Sequence, residues 1–175
     1  MVAVAGHRVL RQRPWSEDQL KRSGFFHYQP VKRMVMAKIV SDMTQVAVTL
    51  EVLTANSGDV MLYSLDNTPR ATIEDYDHWP VKRHIFMQNY ARWDAPDWHP
   101  NDIESKFLSE GCLPFYRKQG VWALKLPIGI YVQTLESPEP VVVPKGRWLL
   151  IGSEGEPYSQ SDEDFYQRYQ VPANV

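Results

Sequence analysis

An order of residue types recurs along this chain. A recurrence constrains a fold more than any single motif, because each copy must be the same kind of small unit with the same burial needs. Trp15 precedes Ser16, an N-cap residue with Gln19 three positions on, and then Leu20 and the stop residue Gly24. Trp98 precedes Asn101, with Glu104 three positions on, and then Ile103, Phe107, Leu108 and the stop residue Gly111. Aromatic and apolar residues follow each stop: Phe25, Phe26 and Tyr28 in one copy, Leu113, Phe115 and Tyr116 in the other. The correspondence continues at an offset of about 88 residues. Met34-Val35-Met36 falls on Trp122-Ala123-Leu124, Leu53-Thr54-Ala55 on Val141-Val142-Val143, and Gly58 to Tyr63 on Gly146 to Ile151. About nine extra residues, around Asn67–Ile73, interrupt the first copy. The match resumes with Asp77-His78-Trp79 on Glu156-Pro157-Tyr158 and closes with Phe86 and Tyr90 on Phe165 and Tyr169.

One copy can be translated into structure. A short helix runs into an apolar strand, a loop leads to a second strand, and glycine with a polar neighbour turns the chain into a third. A further turn, at Ser64–Thr68 or Gly152–Gly155, leads to an aromatic residue on a short strand. Phe-x-x-x-Tyr then puts two rings on one face of a helical turn. The expected fold class is therefore α+β. It comprises two homologous units, each a short helix, a three- to four-stranded antiparallel sheet and a C-terminal helical turn, packed as one globule. The expected boundaries are an N-terminal extension over 1–14, repeats over 15–92 and 98–170, a stiff Pro-containing linker over 93–97, and a tail over 171–175. A copy of about 75 residues buries only a limited core, which favours two copies sharing a buried surface.

Composition narrows the function classes. The 175 residues are 43% hydrophobic and 23% charged, which suits a packed core rather than a disordered or fibrous chain. A net charge of -2 argues against a generic nucleic-acid binder, whose affinity needs a positive surface. No apolar run approaches the roughly 18 residues of a membrane helix, and the stretch before Gly6 and His7 is too short for a signal-peptide core. One cysteine, Cys112, cannot form an internal disulfide. The expectation is a cytoplasmic protein with no membrane or nucleic-acid partner.

The segment from Gly146 through Tyr158, closing with Phe165 and Tyr169, resembles the PGDYG-type domains of bacterial and phage proteins. Those domains carry a Pro-Gly-Asp-aromatic turn, a Gly-Glu-aromatic-Pro segment and a closing Phe-x-x-x-Tyr. The second copy offers Pro144-Lys145-Gly146-Arg147-Trp148, with one extra residue and Arg147 in the place of Asp. The first offers Gly58-Asp59 without the proline, and Trp79-Pro80-Val81-Lys82, close to the family's aromatic-Pro-Val-Lys. The likeness covers the last third of each copy. It implies fold and duplication, and carries no chemistry, so no cofactor is expected.

Pro-Val-Lys-Arg occurs twice, at 30–33 and 80–83. Lys32 and Arg33, and Lys82 and Arg83 with the adjacent His84, could bind a phosphate or carboxylate; the alternative is solvated charge guarding a strand edge. The two tetrapeptides fall at different points of the repeat. Glu154, Glu156 and Asp162–Asp164 could serve acid–base chemistry, or form a polar turn and an acidic helix start. Among His7, His27, His78, His84 and His99 no tight ligand pair occurs, and Asp75, Asp77, His78 and His84 make a poor metal set, so no metal is expected. Cys112 reads as a small buried hydrophobe. Gly152-Ser153-Glu154-Gly155 lacks the Lys of a phosphate loop and reads as a hairpin turn.

The aromatics outside the repeat pattern, Tyr76, Trp93 and Trp98, mark a candidate partner surface beside the insertion and the linker, since such rings dominate binding hot spots. Their competing role is to seal the two copies together. No nucleophile–base–orienter set stands out. The leading expectation is thus a non-enzymatic binding or adaptor protein, phage or mobile-element derived, taking a protein or a small anionic ligand at the repeat junction. One alternative is an enzyme of nucleotide or phosphate chemistry, with Lys82, Arg83 and His84 set against Glu154 and Glu156. Another is a structural subunit of a larger assembly, and an oligomer is compatible with all three.

Overall fold

Short helices alternate with strands of two to six residues in the computed structural model, which describes residues 8–172. His7, the apolar stretch before it and the last three residues of the tail lie outside the described residues. In chain order the elements are β1 (Val9–Leu10), α1 (Glu17–Arg22), β2 (Phe26–Tyr28), β3 (Met34–Ile39), β4 (Thr44–Ala47), β5 (Val52–Ala55) and β6 (Val60–Ser64). A 3-10 turn at Ile73–Asp75 precedes β7 (His78–Val81), α2 (Arg83–Asn89), β8 (Tyr90–Arg92), α3 (Asp102–Ser109) and β9 (Leu113–Arg117). The chain continues as β10 (Val121–Lys125), β11 (Ile130–Val132), β12 (Val141–Val143), β13 (Trp148–Ile151), β14 (Pro157–Gln160) and α4 (Asp162–Arg168). This is an α+β fold with antiparallel sheets; one pair, β1 with β11, is parallel.

The helix ends follow from local chemistry. Ser16 Oγ accepts from the Gln19 N–H at 3.1 Å, and the Gln19 side chain accepts from the Ser16 N–H at 2.9 Å. Asn101 and Glu104 exchange the same two bonds at 2.8 and 2.9 Å. Each box satisfies N–H groups that a helix start leaves without a partner. Gly24 and Gly111 sit at φ of +93° and +90°, the left-handed conformation that reverses the chain. The N–H groups of Phe25 and Cys112 then reach back to the carbonyls of Leu20 and Phe107, both at 3.0 Å. In each case the apolar residues at the two ends of that bond are buried.

The compact units cut across the chain segments 15–92 and 98–170. One comprises residues up to Val31, Thr49–Val52 and Gln119 onward; the other comprises Lys32–Val48 and Leu53–Lys118. In the first, β2 pairs antiparallel with β10, giving the sheet β14-β13-β10-β2 beside the sheet β1-β11-β12. One apolar cluster gathers Leu20, Phe25, Leu149 and Ile151 with Val132 and Val143; another gathers Tyr28, Trp148, Leu150, Phe165 and Tyr169. In the second, β3 pairs with β9 and the sheet runs β7-β6-β3-β9-β8, with β4 and β5 forming a ribbon. Met36, Tyr63, Tyr76 and Phe107 fill one of its clusters, and Val35, Leu62 and Phe86 another.

Phe-x-x-x-Tyr ends each terminal helix as a ring stack. Phe165 and Tyr169 lie with centroids 5.0 Å apart, as do Phe86 and Tyr90, and each tyrosine is the C-cap. Phe165 also stacks on Trp148 at 4.0 Å and is fully buried. Replacing Phe165 with Ala should cost about 3–5 kcal/mol, read by urea unfolding. Tyr166→Ala, at a 46% exposed neighbour, should stay within about 0.5 kcal/mol. A second expectation concerns the chain path. A protease site inserted at the exposed Pro96–Asp97 and cut after folding should leave both fragments in one complex on size exclusion, separable only in denaturant. Free fragments under native conditions would contradict the β2–β10 and β3–β9 pairings.

Candidate functional site

The predicted basic residues lie in the second unit, and both lysines already face a carboxylate. Lys82 is the N-cap of α2, and its Nζ lies 3.3 Å from Asp59 Oδ2. That oxygen also accepts from the Asn56 N–H at 2.9 Å, so Asp59 holds the turn that enters β6. Arg83 and His84 are exposed on the first turn of α2. Lys32 lies 2.5 Å from Asp94 Oδ1, with its ammonium over the rings of Tyr116 at 4.6 Å and Trp93 at 5.4 Å. Hydrogen bonding to Lys32 holds the Asp94 carboxyl below the ordinary aspartate range. Arg33 is half-buried where β3 begins. The two Pro-Val-Lys-Arg tetrapeptides thus serve different local tasks.

The three aromatics do not make one open surface. Tyr76 is 3% exposed and packs against Phe107 at 5.1 Å. Its hydroxyl donates to the Thr68 carbonyl at 2.9 Å and accepts from the Arg70 N–H at 3.2 Å. It ties the extra loop to the core, and a buried ring offers nothing to a partner. Trp93 is half-buried, and its backbone N–H donates to the Pro114 carbonyl at 3.0 Å, extending the β8–β9 pairing by one bond. Trp98 donates from Nε1 to Glu104 Oε1 at 3.1 Å, the oxygen that also closes the α3 capping box.

The acidic residues of the first unit are local stabilisers. Ser161 caps α4 by accepting from the Asp164 N–H at 3.1 Å, and Asp162–Asp164 occupy the first helical turn. Asp162 Oδ1 accepts from Trp148 Nε1 at 2.9 Å and faces Lys125 at 3.1 Å. Glu156 is 8% exposed and accepts from the Glu154 N–H at 2.8 Å, closing the β13–β14 turn. A Cβ at Gly152 would lie 2.2 Å from that carboxylate, so a side chain there would require Glu156 to move. Lys82, Arg83 and His84 belong to one unit and Glu154 and Glu156 to the other. Among the described residues, no three His, Cys, Asp or Glu side chains gather as a metal site, and no helix is long and apolar enough to cross a membrane.

The groove that stands out was not singled out from the sequence. Glu17, Lys21, Phe25, Phe26, His27 and Trp122 line an open depression of about 560 Å³ in the first unit. Phe26 is 66% exposed, a large apolar ring held in water. His27 meets Trp122 edge-on at 5.2 Å, and Glu17 and Lys21 pair at 3.4 Å along α1. Gly120 lets the chain pass: a Cβ there would fall 2.3 Å from the His27 ring and 2.7 Å from the Tyr28 carbonyl oxygen. The sequence did hold a signal. Side chains alternate along a strand, so adjacent Phe25 and Phe26 cannot both face one core.

No family model, no curated protein and no solved structure matches this chain.

Cys112 is 1% exposed, and burial pushes its thiol up to about 11. An aromatic disulfide reagent at about pH 8 should therefore leave the native protein unlabelled and label one thiol per chain in denaturant.

Proposed function

We propose that this chain is a non-enzymatic binding protein, assembled from two copies of one small PGDYG-like α+β unit and working in the cytoplasm, that recognises a protein partner through the aromatic groove beside β2. The observation that carries the reading is Phe26. An aromatic side chain 66% exposed on a strand, beside a groove containing a second aromatic ring, gains most from being covered. The groove's volume is within the range of small-molecule sites, but it is open and flanked by a compensated Glu17–Lys21 pair, which suits a peptide side chain better than a small anion. Both lysines of the proposed anion patches are engaged by carboxylates, which lowers their appeal for a phosphate.

The duplication draws support from backbone bonds that recur pair by pair. Gly58 and Gly146, both at φ near +90°, donate to the carbonyls of Val40 and Leu126 at 2.8 and 2.9 Å. Lys118 donates to Asn89 and Val31 to Arg168, each at 2.8 Å. Ala37 pairs with Leu62, and Ala123 with Leu150. That pairing moves the correspondence of β3 with β10 by two residues from the one read along the sequence. A slip of two preserves which side chains face the core, which is why residue types alone did not expose it. On this reading each unit takes its capped helix and first strand from one copy and the remaining strands from the other, the kind of exchange known between swapped protomers.

Panning a displayed random heptapeptide library on the purified chain tests the binding reading. Selected peptides should bind Phe26→Ser at least tenfold more weakly, about 1.4 kcal/mol, while the variant keeps the wild-type melting temperature. Failure to enrich any peptide, or equal binding to the variant, would overturn it.

A further inference from the structure

The outer edge of β2 carries an arrangement of backbone groups that the second unit shows completed. There, β9 lies between β3 and β8, and antiparallel pairing runs from Tyr90 opposite Arg117 to Arg92 opposite Phe115. The Trp93 N–H then adds a bond to the Pro114 carbonyl. In the first unit, the segment after α4 begins the same pairing along β2. Tyr169 bridges to Pro30, the Val31 N–H donates to the Arg168 carbonyl, and the Gln170 N–H donates to the Gln29 carbonyl, the last two at 2.8 Å. Two residues further on, the donor facing His27 would be residue 172, which is a proline and has no N–H. The internal pairing therefore stops at Gln170.

Main-chain groups alternate between the two edges of a strand, so those of His27 point the same way as the Gln29 carbonyl, away from β10. Among the described residues no strand pairs with β2 at Phe26 or His27 on that edge. The strand is short and lies beside the groove, with Phe26 exposed and no Lys, Arg, Asp or Glu among Phe26, His27 and Tyr28 to guard the edge.

We infer that this edge is a docking site for an extended segment of a partner protein, added antiparallel to β2, whose main chain bonds to His27 and whose apolar side chain lies against Phe26 in the groove. The inference rests on the binding reading above and adds its mode. The occupant's chemistry is set by the filled counterpart in the second unit: a strand that supplies a backbone N–H where Trp93 supplies one to Pro114. Main-chain bonding gives such sites their register, and the side-chain pocket gives them selectivity.

The probe is a capped synthetic heptapeptide with the sequence of residues 89–95, Asn-Tyr-Ala-Arg-Trp-Asp-Ala, titrated to about 1 mM, the weak end of specific affinity, into the isotope-labelled full chain. Saturable amide shifts are expected at Phe25–Tyr28 and Trp122. The same peptide methylated on the Trp backbone nitrogen should bind at least tenfold more weakly. Pro172→Ala, which restores an internal donor, should weaken the unmethylated peptide as well. No saturable shift, shifts confined to β3 and β9, or indifference to methylation would overturn the strand-addition mode. Shifts at Phe26–Tyr28 that grow with protein concentration alone would overturn it too, naming a second copy of the chain as the occupant. If library-selected peptides bind in a Phe26-dependent way but tolerate methylation at every backbone nitrogen, the binding reading stands and the mode fails.

Discussion

Two backbone ladders, β2 with β10 and β3 with β9, hold the architecture together. The first joins residues more than ninety positions apart and the second residues about eighty apart, and each must form before its own unit has a complete sheet. The buried rings depend on them. Tyr28 reaches Phe165 and Trp148, at 5.2 and 5.6 Å, because β2 is paired to β10. Phe107 reaches Tyr63 and Tyr76 because α3 arrives with β9. A long-range pairing of this kind makes each unit draw on segments from both halves of the chain, so neither half of the sequence carries a self-sufficient core.

The capped helices serve that pairing. A helix as short as α1 is marginal alone, and its capping box and glycine stop fix where it begins and where β2 departs. Gly24 then turns Phe25 back onto Leu20, so one face of the following strand is already committed to the core. The next residue, Phe26, is left on the opposite side, beyond the cover that Phe165 and Tyr169 give to Tyr28. The proposed docking edge is thus a by-product of how the helix ends. Among the described residues the internal pairing along it ends at Gln170, and a proline, Pro172, stands where the second unit has the donating Trp93.

Much of the local structure could be read along the chain. The caps Ser16 and Asn101, the stops Gly24 and Gly111, the turns at Gly58 and Gly146, the buried Cys112 and the stacked Phe-x-x-x-Tyr pairs are short-range patterns. Their physics lies within five or six residues. The candidate site was less legible. Tyr76, Trp93 and Trp98 drew attention by residue type, yet a hydroxyl bonded to Thr68 and Arg70 and an indole bonded to Glu104 make two of them local anchors. Lys32 and Lys82 stood out as charges, but nothing along the sequence announces Asp94 or Asp59 as their partners.

The sequence by itself determined which elements form, where they stop and which residue of each adjacent pair must leave the core, because caps, turns and side-chain alternation are decided by neighbours. It also set out the recurrence of residue types. Only the tertiary structure decided that α1 and β2 complete the sheet of β10, that α3 and β9 complete the sheet of β3, and that no strand among the described residues pairs with the edge of β2 at His27. Those outcomes depend on which distant strands close a ladder, and any apolar strand of the right length satisfies the same local pattern.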